Sequence, residues 1–331
     1  MRANASQLLA NGLRTEFWDT YAKVQNRVAD SRLASVMNLG ISATNREHDF
    51  GYFESAPHFT QWKRGDEIKS KAMDSVAFNV PVYEWGRRVP WSKWDKDDDQ
   101  TDSLMAVASQ AGESAALLPE RMFFDCIQNT TTILPSVPTA PDGAVMFATT
   151  DGGGGARFGA TNGNLLSGGG VTASAILTDF YDAIQQFMLF QDTEGQPLLN
   201  DTLMQQPFIL CHPVALTEAM ETAFLQKQQL GDSSVGGAKS NVIADTAKRV
   251  TLWPSPRLDS VDANDWYLFL GNPPKEQTFF LDREAVTEES ALMSDNNSDS
   301  VLSTAEEYIQ WHSRSGAGIA LPYGAIKTTN T

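Results

Sequence analysis

Cysteine is nearly missing from this sequence, and two thiols, Cys126 and Cys211, cannot build the disulfide framework that staples small secreted domains. Histidine is almost as sparse. His48, His58, His212 and His312 stand apart, none spaced from another histidine or a cysteine as zinc ligands are, which argues against a metal enzyme. There is no G-x-S-x-G elbow, no Gly-Lys-Ser/Thr after a glycine run, and no internal repeat. No apolar run approaches the ~18 residues of a membrane span, and Met1 to Asn11 lack the oily centre of a secretion signal. A soluble intracellular product with no membrane partner is expected. Basic residues are short too: 25 Lys and Arg against 41 Asp and Glu give a net charge of −16, the wrong sign for gripping phosphates. No catalytic, cofactor-binding or metal-binding residue is nominated, and the chain reads as no enzyme.

Aromatic residues are plentiful and clustered. Trp62, Trp85, Trp91 and Trp94 put four of the eight tryptophans into one stretch. Val76, Phe78, Val80 and Val82 alternate with Ala77, Asn79, Pro81 and Tyr83, the period of a strand with two different faces. Pro81 cannot donate to a central ladder, so this strand belongs at an edge or in a projecting two-stranded ribbon. Isolated hairpins are marginal in water, so the ribbon must lie on something. Either its rings pack on the chain's own core, or Tyr83, Trp85, Arg87 and Arg88, residue types enriched at interfaces, cover another protein.

The rest of the chain mixes helix and strand, which predicts an α+β fold. Leu9, Leu13, Phe17, Tyr21 and Val24 mark a helix from Ala3 to Val28, followed by an irregular arm over Ser31 to Asn45. The ribbon is expected over Phe59 to Trp94, ending in five aspartates between Asp95 and Asp102. Those acids lack the spacing and turn glycine of a cation loop, and they suit a helix entrance. Asp102 can cap a long helix over 102–128, roughly 40 Å in length, that Pro119 kinks. The runs Gly152 to Gly155 and Gly168 to Gly170 read as flexible surface loops. Thr172 to Phe190 predicts a helix, Phe208 to Cys211 a buried strand, and Leu216 to Phe224 a helix. Val250 to Trp253, Trp266 to Leu270, Thr278 to Leu281, Tyr308 to Trp311 and Ile319 to Leu321 predict strands, with a polar loop from Glu288 to Ser300.

The order of these parts, entry helix, arm, hairpin, long helix and mixed lobe, resembles the major capsid protein of tailed bacteriophages, and within it the Mu-like major head subunit. Trp62-Lys63-Arg64-Gly65-Asp66-Glu67 resembles the start of that group's extended loop. Asn79 to Trp85 and Asp97-Asp98-Asp99 resemble its strand and acidic turn, Asp142-Gly143 with Met146-Phe147 a motif after the long helix, and Pro207 to Pro213 and Trp266-Tyr267-Leu268 strands of its axial lobe. The family's usual histidine after the Asp-Gly-Phe segment is replaced here by Asp151 and glycines.

The resemblance implies an N-terminal helix and arm (1–57), an extended hairpin loop (58–94), a peripheral domain with its spine helix (95–171 and 272–316) and an axial domain (172–271 and 317–331). It also implies self-assembly through hexamers and pentamers into an icosahedral head in the virion, built in the host cytoplasm. The shell would enclose DNA without reading its sequence, with portal, scaffolding and decoration proteins as further partners. Intersubunit contacts are expected from Trp62, Tyr83, Trp85, Arg87, Arg88, Trp91, Phe17 and Tyr21. Deleting Asp66 to Arg88 is expected to leave a folded monomer that closes no shell. Two rivals stand beside this reading: an encapsulin-like nanocompartment shell of the same fold, and a soluble hydrolase under the glycine loops.

Overall fold

A computed structural model describes residues 2–53, 75–92, 103–193, 195–199, 207–225, 228–230, 238–240, 250–261, 263–271, 277–292 and 306–330. Helix α1 (Arg2–Ala29) leads through a 3-10 turn into strands β1 (Met37–Ser42), β2 (Glu47–Phe53), β3 (Ser75–Pro81) and β4 (Tyr83–Ser92). Helices α2 (Ser103–Ala116) and α3 (Leu118–Gln128) follow, then β5 (Leu165–Ser167), α4 (Ala173–Leu189), β6 (Phe208–Pro213) and α5 (Thr217–Phe224). The remainder is strand: β7 (Gln228–Leu230), β8 (Ala238–Ser240), β9 (Val250–Ser255), β10 (Trp266–Leu270), β11 (Thr278–Ala291), β12 (Glu306–Ile319) and β13 (Ala325–Thr329).

These strands form two principal sheets, ordered β1-β11-β12-β4 and β5-β13-β10-β6-β9, and two ribbons, β2-β3 and β7-β8. The α+β class expected from the sequence is the class observed. The central strands β6 and β10 are apolar at successive positions because both of their faces are covered. Ile209, Cys211, Tyr267 and Phe269 join the core that holds Met122, Phe123 and Ile127 of α3. Phe208, Leu210, Trp266, Leu268 and Leu270 join a second core, with Phe180 and Phe187 of α4 and Met220 and Phe224 of α5. The two-residue period of a strand thus sorts one apolar run into two cores.

A third core joins the first sheet to two helices. Leu13 and Phe17 of α1, Ala108 and Ala111 of α2, Val89 and Trp91 of β4, and Ile309 and Trp311 of β12 pack together. Gly112 of α2 permits the close crossing with α1, since a Cβ there would stand 2.5 Å from the Phe17 carbonyl oxygen.

The helix expected over 102–128 is a bent rod. Hydrogen bonds from Leu117 N to Glu113 O and from Arg121 N to Leu117 O flank the bend, and Pro119 occupies the first turn of α3, where no N–H is required. The capping role given to Asp102 lies outside the described residues. At the far end Asn129 adopts the left-handed conformation. Buried Asp125 then accepts from the backbone N–H groups of Thr132, Ile133 and Leu134, which pins the exit loop to the rod.

Several expectations need correction. The stretch Ser31 to Asn45 is not an irregular arm over its whole length, because β1 pairs parallel with β11 and completes the first sheet. The ribbon starts earlier, with β2 paired antiparallel to β3 from Glu47↔Pro81 to Phe53↔Ser75. Its continuation through Trp94 fails, since β4 leaves the ribbon after Pro81 and pairs with β12 from Tyr83 to Ser92. The loop expected from Glu288 begins inside β11, whose strand runs to Ala291. Of the strand expected over Ile319 to Leu321 only Ile319, the last residue of β12, is strand, and β13 beyond it was not anticipated. Gly168 is no flexible loop residue: a Cβ there would lie 2.1 Å from Asn330 Oδ1 and 2.6 Å from Asp179 Oδ2.

Candidate assembly surface

Strand β4 carries five of the nominated contact residues and divides them between its faces. Tyr83, Trp85, Arg87, Val89 and Trp91 share one parity, and the last two are buried against α1 and α2. Trp91 is 1% exposed and donates its indole N–H to Glu307 Oε2 at 2.8 Å. Phe17 is fully buried. These two rings are spent inside the subunit and present no side-chain surface to a partner, as burial in the chain's own core requires.

Arg87 and Arg88, adjacent in sequence, point to opposite sides of the sheet. Arg88 lies 4.0 Å above the Tyr308 ring and donates to Gln310 Oε1 at 2.8 and 3.2 Å. Arg87 sits opposite Trp311 and makes no ion pair among the described residues. Trp85 is half-buried and donates its indole N–H to the Ser315 carbonyl at 3.0 Å, while Tyr83 and Ser136 share a hydrogen bond of 3.2 Å between hydroxyls. Tyr21 is half-buried, and its phenol pKa is raised by burial first and by the charge of Asp282 second. Trp62 lies outside the described residues.

Beside this strand the molecule is hollowed. A cavity of about 470 Å³ lies between β4, β12 and the bent rod, lined by Trp85, Arg87, Val107, Leu118, Arg121 and His312 among others. A smaller one of about 160 Å³ adjoins it, with Tyr21, Phe280, Asp282 and Glu284 in its wall. Ala115, Leu118, Val286 and Ser313 border both, so the two form one trough along the bend of the rod. Arg87 and Arg121 stand at one end, Asp282 and Glu284 at the other. Arg121 makes a 3.3 Å hydrogen bond to Ser114 and no ion pair among the described residues. Burial raises the Asp282 carboxyl pKa above its ordinary value.

Around the trough the sheet is held by polar contacts. His312 shares a 2.9 Å hydrogen bond with Thr287, and Arg314 pairs with Glu84 at 3.1 Å. Glu288 pairs with Arg14 and accepts the Trp18 indole N–H at 3.2 Å, tying β11 to α1. Sequence reasoning passed over Arg121 and Asp282 and weighed His312 only as a zinc ligand. No local signal marks them, because they converge only when strands and helix from three parts of the chain meet.

The motif Asp142-Gly143 with Met146-Phe147 has a structural explanation. Arg157, 1% exposed, donates to Asp142 Oδ2 at 2.7 Å, to Met146 O at 2.9 Å and to Asn164 Oδ1 at 2.9 Å. Asp151, in the place of the expected histidine, accepts from Gly153 N and Gly155 N at 2.9 and 2.7 Å and so orders the first glycine run. Among the described residues no group of His, Cys, Asp or Glu could hold a metal ion, and no helix is long and apolar enough to cross a membrane.

The family model described as "Phage capsid protein" matches residues 75–328. No curated protein matches the chain in sequence. Among solved structures, the capsid of cyanophage P-SCSP1u aligns with 90% of this chain and 88% of its own, at TM-score 0.58 and 10% identity. The capsid of Myoviridae phage XM1 covers 91% of both chains at TM-score 0.56 and 10% identity. A virus-like particle from Pyrococcus furiosus matches 96% of this chain and 98% of its own, at TM-score 0.50 and 11% identity.

Proposed function

From the membership of this chain in the phage capsid protein family, established over residues 75–328, we propose how its parts build a shell. It is a structural capsid protein, and its place is the virion. We assign it to the Mu-like major head type, with no catalytic role of its own, on the ordered motifs from Trp62 to Leu268.

The domain division proposed is 1–57, 58–94, 95–171 with 272–316, and 172–271 with 317–331. The two-sheet arrangement supports it in outline: the β1-β11-β12-β4 sheet with the bent rod forms the peripheral part, and the β5-β13-β10-β6-β9 sheet with α4 and α5 the axial part. The boundaries in the hairpin loop are better drawn at Pro81, where β3 ends and β4 enters the main sheet.

Copies of the chain associate through Trp62, Tyr83, Trp85, Arg87, Arg88 and Tyr21, closing as hexamers and pentamers in the host cytoplasm, with portal, scaffolding and decoration proteins as further partners. Many moderate contacts suffice, since each buried apolar Å² contributes about 25 cal/mol before ordering costs and closed symmetry repeats every contact. The net charge of −16 keeps enclosed DNA from adsorbing to the wall.

The observation that carries this reading is the trough beside β4, where the exposed Arg87 and Arg121 make no ion pair among the described residues of a strongly acidic chain. Its test is removal of residues 54–74, the stretch between β2 and β3, with a short Gly-Ser link in its place. The expected product is a folded subunit that forms no shell, checked by circular dichroism and negative-stain microscopy; intact shells would contradict it. The deletion from Asp66 to Arg88 is unsuitable, because it removes most of β4 and uncovers Val89, Trp91 and β12.

One observation favours a second reading. The virus-like particle from Pyrococcus furiosus shares the fold over nearly its whole length. A nanocompartment of this kind would enclose a protein cargo, so nucleic acid recovered from purified shells separates the two.

A further inference from the structure

A cleft of about 430 Å³ opens between α4 and the β5 edge of the second sheet. Asp179 and Asp182, three residues apart and so on one face of α4, stand in its wall with Asn162, Gln185, Gln186 and Thr328. No basic residue lines it among the described ones. Thr328 of β13 is 1% exposed, and its hydroxyl has no hydrogen-bond partner among the described residues. It lies on the same strand face as Ile326, which joins the core of Ile176 and Phe180, so its side chain is borne toward α4. A Cβ on Gly168 would stand 2.6 Å from Asp179 Oδ2 and 2.8 Å from Thr328 Cγ2. The carboxylate and the threonine thus converge on one point.

The oxygens of this cleft are held in place. Burial raises the Asp179 carboxyl pKa, the Gly169 N–H offsets part of the rise, and the charge of Asp182 adds to it. Gln186 donates its amide N–H to Gly163 O at 2.8 Å, which commits the nitrogen and leaves the oxygen for a ligand. Two carboxylates, an orphan hydroxyl and amide oxygens are the donors of a hard cation.

We propose that this cleft binds a calcium ion, held by Asp179, Asp182 and Thr328, with amide oxygens and water completing its shell. The described residues contain no group of three or more His, Cys, Asp or Glu side chains fit for a metal, and this cleft supplies two. Calcium accepts neutral oxygens for the rest, in a flexible shell of about six to eight ligands. Magnesium demands a tighter octahedron and zinc prefers nitrogen and sulfur, so neither suits the set. The ion ties α4 to the edge of the sheet. With two charges in the shell, a dissociation constant on the order of 10⁻⁴ M is expected. The proposal is independent of how copies of the chain associate.

Calorimetric titration of the full chain with calcium tests it. Asp182→Asn and Thr328→Val should each weaken binding about tenfold or more, while Glu218→Gln, an exposed position on α5 outside the cleft, leaves it unchanged. Thr328→Val also separates a ligand from a structural group. It breaks no hydrogen bond among the described residues, so without calcium its thermal midpoint by circular dichroism should equal or exceed the parent's. Trp266 stands opposite Thr328 in the β10-β13 ladder, so terbium in the cleft should emit on indole excitation and calcium should displace it. No calcium binding by the parent, parental affinity in either cleft variant, or magnesium bound as tightly as calcium would overturn the proposal. A lowered calcium-free midpoint in Thr328→Val would do the same.

Discussion

Phe17 and Trp311 stack with ring centroids 4.2 Å apart and planes 3° from parallel, fastening α1 to the middle of β12. Both rings are almost wholly buried, and the same core holds Val89 and Trp91 of β4. The entry helix is therefore part of the subunit's own core over this stretch. Phe17→Ala should lower stability by about 3–5 kcal/mol, the usual cost of emptying an aromatic site in a packed core. Urea denaturation followed by tryptophan fluorescence checks it; a loss under about 1 kcal/mol would mean that α1 packs loosely.

The Arg157 knot gives a second prediction. Its guanidinium is buried and joins Asp142, Met146 O and Asn164, while Asn164 also donates to the carbonyls of Pro322 and Ala325. Arg157→Met should cost about 3 kcal/mol, because Asp142 and Asn164 lose their buried donors. Asp142 is partly exposed and recovers some hydration, which keeps the figure below the upper range. A midpoint within error of the parent would show that the knot is dispensable.

A third prediction concerns pH. Burial raises the Asp282 carboxyl pKa above the ordinary 3.8. Between pH 3.8 and the raised folded pKa the native state binds more protons than the unfolded chain, so the contribution of this group to stability falls across that window and stays at its lower level above it. Asp282→Asn should stabilise the isolated subunit at pH 7 and change little near pH 3. Equal shifts in the urea midpoint at both values would contradict this.

Much of the fold was legible because its signals are local. The spacing of Leu9, Leu13, Phe17, Tyr21 and Val24 marked α1, and the apolar runs Phe208 to Cys211 and Trp266 to Leu270 marked the two central strands. Pro119 announced the bend. What escaped was pairing at a distance. Nothing near Met37 shows that β1 joins β11 some 240 positions away, and the polar ending of the chain hid β13.

Of the assembly surface, the strand and its residue types were readable, but not which side chains remain free. Trp91 and Phe17 look like contact residues in sequence and are internal in the structure. Arg87 and Arg88, nominated together from the sequence, face opposite ways, as the two-residue period of a strand requires: one is held by Tyr308 and Gln310, the other stands at the trough. Arg121 and Asp282 carry no motif at all, since their meaning arises only from convergence.

The central claim is that this 36.2 kDa chain completes itself only among copies of itself. Sedimentation of the purified full-length protein with cryo-electron microscopy of the fast fraction tests it most directly. Closed hollow shells built of hexamers and pentamers are the predicted result. A stable monomer under all assembly conditions would contradict it.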